Sequence, residues 1–88
     1  MNRRRPNTLD GMATLLLFAQ AREAAGTGRL QLDGTTVQSL LDQASAMHPA
    51  LIRVIPHCKI WINGEPAVPP DPVVASDEVA LLPPVSGG

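Results

Sequence analysis

The chain has 88 residues, of which 44% are hydrophobic and 17% charged, with a formal net charge of −1. That length suits one domain burying about 60–65% of its unfolded surface, the composition excludes a disordered chain, and no apolar run approaches the roughly 20 residues needed to cross a bilayer. Cys58 is the only cysteine, so no internal disulfide can form, and with no secretory-type apolar segment at the N-terminus the expected compartment is the cytoplasm.

The charge is unevenly spread along the chain. Arg3, Arg4, Arg5 and Asp10 fall in the first eleven residues, and the remainder carries four basic against seven acidic side chains. An acidic body argues against nucleic acid, which needs a cationic face to displace phosphate counterions, and favours a basic protein partner. The opening segment MNRRRPNTLDG has no apolar periodicity and reads as a flexible extension over residues 1–12.

From Ala13 to Phe18, ATLLLF is a continuous apolar run that suits a strand buried on both faces. AQAREAAG follows, a two-turn helix of good helix formers closed at Gly26. RLQL, Arg29 to Leu32, alternates polar and apolar and ends at the turn signal Asp33-Gly34. Thr35 with Gln38 three residues on makes a capping-box pattern, and Val37, Leu40, Leu41, Ala44 and Met47 form one apolar stripe that His48-Pro49 ends. This is the principal helix.

ALIRVI, between Pro49 and Pro56, is ambiguous and fits another helical turn. KIWIN, Lys59 to Asn63, is a strand with Ile60 and Ile62 on one face and Trp61 on the other, closed by the turn NGEP. Ala67-Val68, before two prolines, allows only a short edge strand. EVALLP, Glu78 to Pro83, is the last strand. The order is β, short α, β, α, β, β, β, in which one amphipathic helix must cover one face of a mixed sheet. That predicts an α+β fold of the β-grasp, ubiquitin-like type over residues 13–82. Its expected core is Leu15, Leu17, Leu30, Leu32, Val37, Leu40, Leu41, Ala44, Ile60, Ile62, Val79 and Leu81.

After Pro83-Pro84 no strand can continue, because proline lacks the N–H and holds φ near −65°, so residues 83–88 are expected to leave the body as an extended tail. Six residues at about 3.3 Å each reach roughly 20 Å, enough to carry the terminal carboxylate into a partner. Gly87 and Gly88 lack a Cβ and fit a narrow channel. The α-carboxylate is ionised at neutral pH and unreactive as an electrophile. Conversion to a mixed anhydride with AMP would supply a leaving group, after which sulfide or an amine can attack the Gly88 carbonyl.

LLFAQAREAAG, the INGEP turn and the terminal DEVALLPPVSGG closely resemble the small subunits of molybdopterin synthase, within the ubiquitin-like sulfur-carrier family, and the resemblance runs from about Ala13 to Gly88. It implies that Gly88 is adenylated by an ATP-dependent activating enzyme, converted to a thiocarboxylate, and inserted with Gly87 into a larger partner subunit. There the sulfur passes to a precursor pterin to build the molybdopterin dithiolene of the molybdenum cofactor, with a heterotetramer as the expected assembly. No bound cofactor is expected, ATP being used by the activating enzyme. The resemblance places partner contacts at Phe18, Arg22 and Leu82, and along Pro83, Pro84, Val85 and Ser86. Strand alternation puts Leu16, Phe18, Ala80 and Leu82 opposite the helix-covered face and adds Trp61 to them, with partial burial under the loop after Pro66 as the other reading of Trp61. Alternatives are a carrier for thiamin or cysteine synthesis and a ubiquitin-like modifier joined to lysine.

Other chemistry is poorly provided for. His57 and Cys58, adjacent in an extended segment, point to opposite faces and do not form a nucleophile–base pair, so a packed thiol is expected. With His48 they offer three borderline metal ligands and no ligand spacing. One cysteine is too few for an iron–sulfur cluster. Asp77-Glu78 reads as a solvated turn, and Gly26-Thr27-Gly28 lacks the phosphate-loop spacing and its lysine.

Overall fold

The structure, a computed structural model, describes residues 12–84. A five-stranded sheet is formed by β1 (Ala13–Leu17), β2 (Arg29–Leu32), β3 (Lys59–Ile62), β4 (Glu65–Ala67) and β5 (Glu78–Leu82). The helices are α1 (Ala19–Ala25) and α2 (Val37–Met47), followed by 3-10 turns at Pro49–Arg53 and Ile55–His57. The strand order is β2-β1-β5-β3-β4; β1 and β5 are parallel and every other pair is antiparallel. This is the predicted mixed sheet with helices on one face.

Inward-facing Leu15, Leu17, Leu30, Leu32, Val79 and Leu81 pack with Val37, Leu40, Leu41 and Ala44 of α2. Ala13, Ala21, Ala25, Leu51 and Val73 complete this core and were not among the expected residues. Ile60 and Ile62 are only half-buried, since β3 lies next to the sheet edge, yet they pack against the cluster. Met47, expected on the stripe, is 54% exposed. The 3-10 turn after Pro49 delivers fully buried Leu51 near the end of α2 instead.

The start of α2 is shifted by one residue from the expected cap. Thr36, not Thr35, is the N-cap: its hydroxyl accepts from the Ser39 N–H at 3.1 Å, and the Ser39 hydroxyl accepts from the Thr36 N–H at 3.2 Å. Thr35 is held by the loop before β5, accepting from the Val73 N–H, while Thr36 bridges Pro72. The Val37 and Gln38 N–H groups donate to the Asp71 and Pro69 carbonyls, which satisfies donors that a helix start leaves unpaired. α1 ends as expected at Gly26, φ 74°.

β3 and β4 are joined by Asn63 and Gly64, both with positive φ, as a two-residue hairpin requires. The edge strand is Glu65–Ala67, starting two residues and ending one residue before the expected Ala67-Val68, with Pro66 opposite Trp61. An edge tolerates this proline because its outer side needs no ladder donor. The last strand stops at Leu82.

Candidate functional site: the open sheet face and the root of the tail

Alternation along the strands sets the second face of the sheet. β1 presents Leu16, β5 presents Ala80 and Leu82, and β3 presents Trp61, because their neighbours Leu15, Leu17, Val79 and Leu81 are fully turned into the core. The registers bring these side chains into one cross-strand row: Arg29 opposite Leu16, Leu16 beside Ala80, Ala80 opposite Trp61, and Trp61 opposite Pro66. Lys59 opposite Leu82 continues the surface toward the end of β5. Leu16, Ala80, Trp61 and Leu82 are all half-buried, as on a face that no helix covers.

Phe18 joins the patch at a corner. It caps α1 in an extended conformation, and Ala19, with φ 49°, turns the chain sharply from strand to helix. The Phe18 carbonyl accepts from the Ala21 and Arg22 N–H groups, and the ring is left 44% exposed. Arg22 is exposed one turn further on, its side chain lying alongside Gly28. The half-buried Trp61 shares both readings made of it, since it belongs to the open row and also lines a cavity of ≈ 640 Å³ with Pro66, Ala67 and Pro69.

At the end of β5, Leu82, Pro83 and Pro84 with His57 and Lys59 line a cleft of ≈ 400 Å³. Pro83 is buried and Pro84 exposed at the root of the tail. Val85, Ser86, Gly87 and Gly88 lie outside the described residues, as does the extension before Met12. Lys59 and Arg29, which flank the patch, went unnoticed in the sequence. Their positions first in their strands gave a weak signal, and their cross-strand neighbours gave none.

The remaining candidates have structural roles. The Cys58 thiol donates to the Val54 carbonyl at 3.3 Å, and burial pushes its pKa above the ordinary value, which is the packed thiol expected. Among the described residues no three His, Cys, Asp or Glu side chains converge as a metal site. Asp77 locks a turn by accepting from the Val74 N–H and from the Asn63 amide, both at 2.9 Å. Asn63 in turn accepts from the Glu78 N–H at 2.9 Å. No helix among the described residues is long and apolar enough to cross a membrane.

Comparison with known proteins bears on the whole of this surface and on the tail. A profile of the ThiS family matches residues 15–88. The chain is 40% identical over 79 residues to a molybdopterin synthase sulfur carrier subunit of Chlamydomonas reinhardtii, covering 84% of this chain and 95% of that one. It is 41% identical over 83 residues to small archaeal modifier protein 1 of Haloferax volcanii, covering 82% and 95%. The crystal structure of that modifier superposes with a TM-score of 0.80, at 38% identity over 89% of this chain and 100% of the other. A subunit in a complex of subunits 1 and 2 of the Helicobacter pylori molybdopterin-converting factor has the same fold, with a TM-score of 0.64 at 20% identity, covering 88% and 99%.

Proposed function

The chain belongs to the ThiS family, and on that footing we propose that it is the sulfur carrier subunit of a molybdopterin synthase. The observation that carries this reading is structural continuity: β5 borders the open apolar face and runs directly into the sequence Pro83-Pro84-Val85-Ser86-Gly87-Gly88. Similarity to the Chlamydomonas reinhardtii carrier subunit over most of both chains supports it.

In this reading the Gly88 carboxylate attacks the α-phosphate of ATP on an activating enzyme, forming an acyl-adenylate and releasing pyrophosphate. Sulfide sulfur then adds to the carbonyl and expels AMP, leaving a thiocarboxylate. The tail enters a larger partner subunit, where the sulfur passes to a precursor pterin. In this reading the partner enzymes supply the catalytic groups for these steps. The protein body supplies a docking face formed by Phe18, Arg22, Trp61 and Leu82, a root at Pro83 and Pro84, and a reach of roughly 20 Å. The Helicobacter pylori two-subunit complex supports a large-subunit partner. Two copies of each subunit, in a heterotetramer, and the cytoplasm as compartment complete the proposal.

Incubation with the activating enzyme, ATP and a sulfur donor, followed by fragment mass spectra of the C-terminal peptide, tests it. An oxygen-to-sulfur exchange placed on Gly88 is expected. It must be placed by fragmentation, because methionine oxidation has nearly the same mass shift and the chain has three Met. An unmodified Gly88, with an enzyme active on another carrier, would sink the reading.

A second reading, a protein modifier, is favoured by the similarity to the Haloferax volcanii modifier. It requires isopeptide adducts between Gly88 and lysines of other proteins. Multimers of this chain linked through lysine would have to use Lys59, its only lysine.

A further inference from the structure

Charge on this fold is sorted along the strand direction. β1 and β5 are parallel and end together at Leu17 and Leu82, while β2 and β3 begin at that same edge because they run antiparallel to them. Arg29 and Lys59 are therefore both at the tail edge, and both lie on the open face, opposite Leu16 and Leu82. Arg22 is on α1, which leaves β1 at this edge, and Arg53 ends the 3-10 turn that packs against α1. All four are exposed, and they are every Lys and Arg among the described residues. Glu23 on α1 is among them, and Asp42, midway along α2, lines a pocket with Ile52, Ile55 and Pro56 on the helix side, away from the open face.

The opposite edge is acidic. Asp33 follows β2, Glu65 opens β4, Asp77 and Glu78 lead into β5, and the Asp71 carbonyl meets the start of α2. The open face changes with the charge: toward this edge its row is Gln31, Thr14 and Glu78, with the Gln31 amide donating to the Thr14 hydroxyl at 3.0 Å. Four residue steps of β5 separate Glu78 from Leu82, about 13 Å at strand rise. That exceeds the Debye length of about 8 Å at physiological ionic strength, so an approaching molecule responds to the nearer pole and not to the net charge. The body's net negative charge thus misreports the surface from which the tail emerges.

We propose that the tail edge docks on a partner protein whose receiving surface is apolar at its centre and lined with carboxylates at its rim, and that the acidic far pole disfavours reversed approach. Leu16, Phe18, Trp61 and Leu82 fill the apolar centre, while Arg22, Arg29 and Lys59 meet the rim. This reverses the basic partner expected from net charge. It rests on the carrier reading, which identifies the occupant as the large subunit.

Charge pairs at a rim act mainly on the association rate, whereas buried contacts act on dissociation. Stopped-flow association of the full chain with the molybdopterin synthase large subunit is therefore the test, at about 0.02 M and 0.5 M salt. At low salt Arg29→Glu/Lys59→Glu is expected to slow association by about tenfold with dissociation changed less than about threefold, and the difference should shrink at high salt. Arg29→Gln/Lys59→Gln should fall between this variant and wild type, which separates a charge effect from misfolding. Asp33→Lys/Glu65→Lys, at the far pole, is expected to leave association within about twofold or to speed it. Association that ignores the tail-edge reversals, or that speeds up with salt, overturns the proposal alone. A wild-type chain that binds no large subunit overturns the carrier reading and this proposal together.

Discussion

Trp61 stands directly opposite Ala80 on the open face, and Ala80 in turn lies beside Leu16 in the parallel ladder. The largest side chain of the patch thus borders its smallest, a shallow step onto which a partner's side chain can fit. Aromatic anchors of this kind dominate binding energies in protein interfaces. Trp61→Asp and Leu82→Asp are each expected to weaken large-subunit binding by at least about 30-fold, the factor that about 2 kcal/mol corresponds to. Calorimetry measures this, with far-ultraviolet circular dichroism confirming the fold. Binding unchanged by both variants would remove the open face from the interface.

Removing Gly87 and Gly88 takes away none of the buried core residues, which run from Ala13 to Leu81 among the described residues. The truncated chain is expected to melt within about 3 °C of the full chain, while thiocarboxylate formation and sulfur transfer fall to background. Retained transfer would show that the tail is not the reacting group.

Thr36→Ala should cost about 1 kcal/mol by removing the hydroxyl that caps α2. Thr35→Ala should cost less than about 0.5 kcal/mol, since that residue contributes its carbonyl to the Val73 N–H. Urea unfolding of the two variants distinguishes the observed cap from the one that the Thr35–Gln38 spacing predicts.

Gly34 lies close against α2: a Cβ there would stand 2.9 Å from Leu40 Cδ2 and would collide with the Ser39 hydroxyl. Ser39 belongs to the cap and Leu40 is fully buried, so neither can move freely. Gly34→Ala is expected to destabilise by about 1–3 kcal/mol through overpacking, read as a lower urea midpoint with an unchanged slope.

Cys58 carries a thiol whose pKa is raised above the ordinary thiol value by burial. Iodoacetamide should therefore label it more slowly than an unfolded control at pH 8, the native rate rising at higher pH than the control's. Well below the ordinary thiol pKa of about 8.5 the thiol is protonated in both states and contributes no pH dependence to stability. Above that value the unfolded chain loses its proton first, so stability falls with rising pH. Cys58→Ala should abolish that alkaline slope and leave sulfur transfer unchanged. Loss of transfer in this variant would give Cys58 a chemical role.

Much of the fold was legible because local patterns and tertiary demands agree. The alternation of Leu30 and Leu32, the stripe Val37, Leu40, Leu41 and Ala44, and the Asn63-Gly64 turn each describe a surface or a backbone conformation that the final fold uses. Where the reading slipped, distant chain intervened. Thr35 and Thr36 are locally near-equivalent caps, and the strap through Asp71, Pro72 and Val73 selects between them by pairing with Thr35 and Thr36. Met47 has the right spacing for the core, but the turn after Pro49 carries Leu51 into it instead.

The sequence by itself determined the element order and the helix-facing half of the core, because hydrophobic periodicity acts over a few residues. Only the tertiary structure decided where the charges lie. Arg22 and Arg29 are near in sequence but Lys59 is far from both, with Asp33 in the intervening stretch and Glu65 following Lys59 closely, so order along the chain does not separate the two signs. Strand direction, set by the pairing of β1 with β5 and of β2 and β3 against them, gathers these cations at the tail and sends these carboxylates to the far edge. Net charge sums over these positions, whereas a screened field reports only the nearest of them.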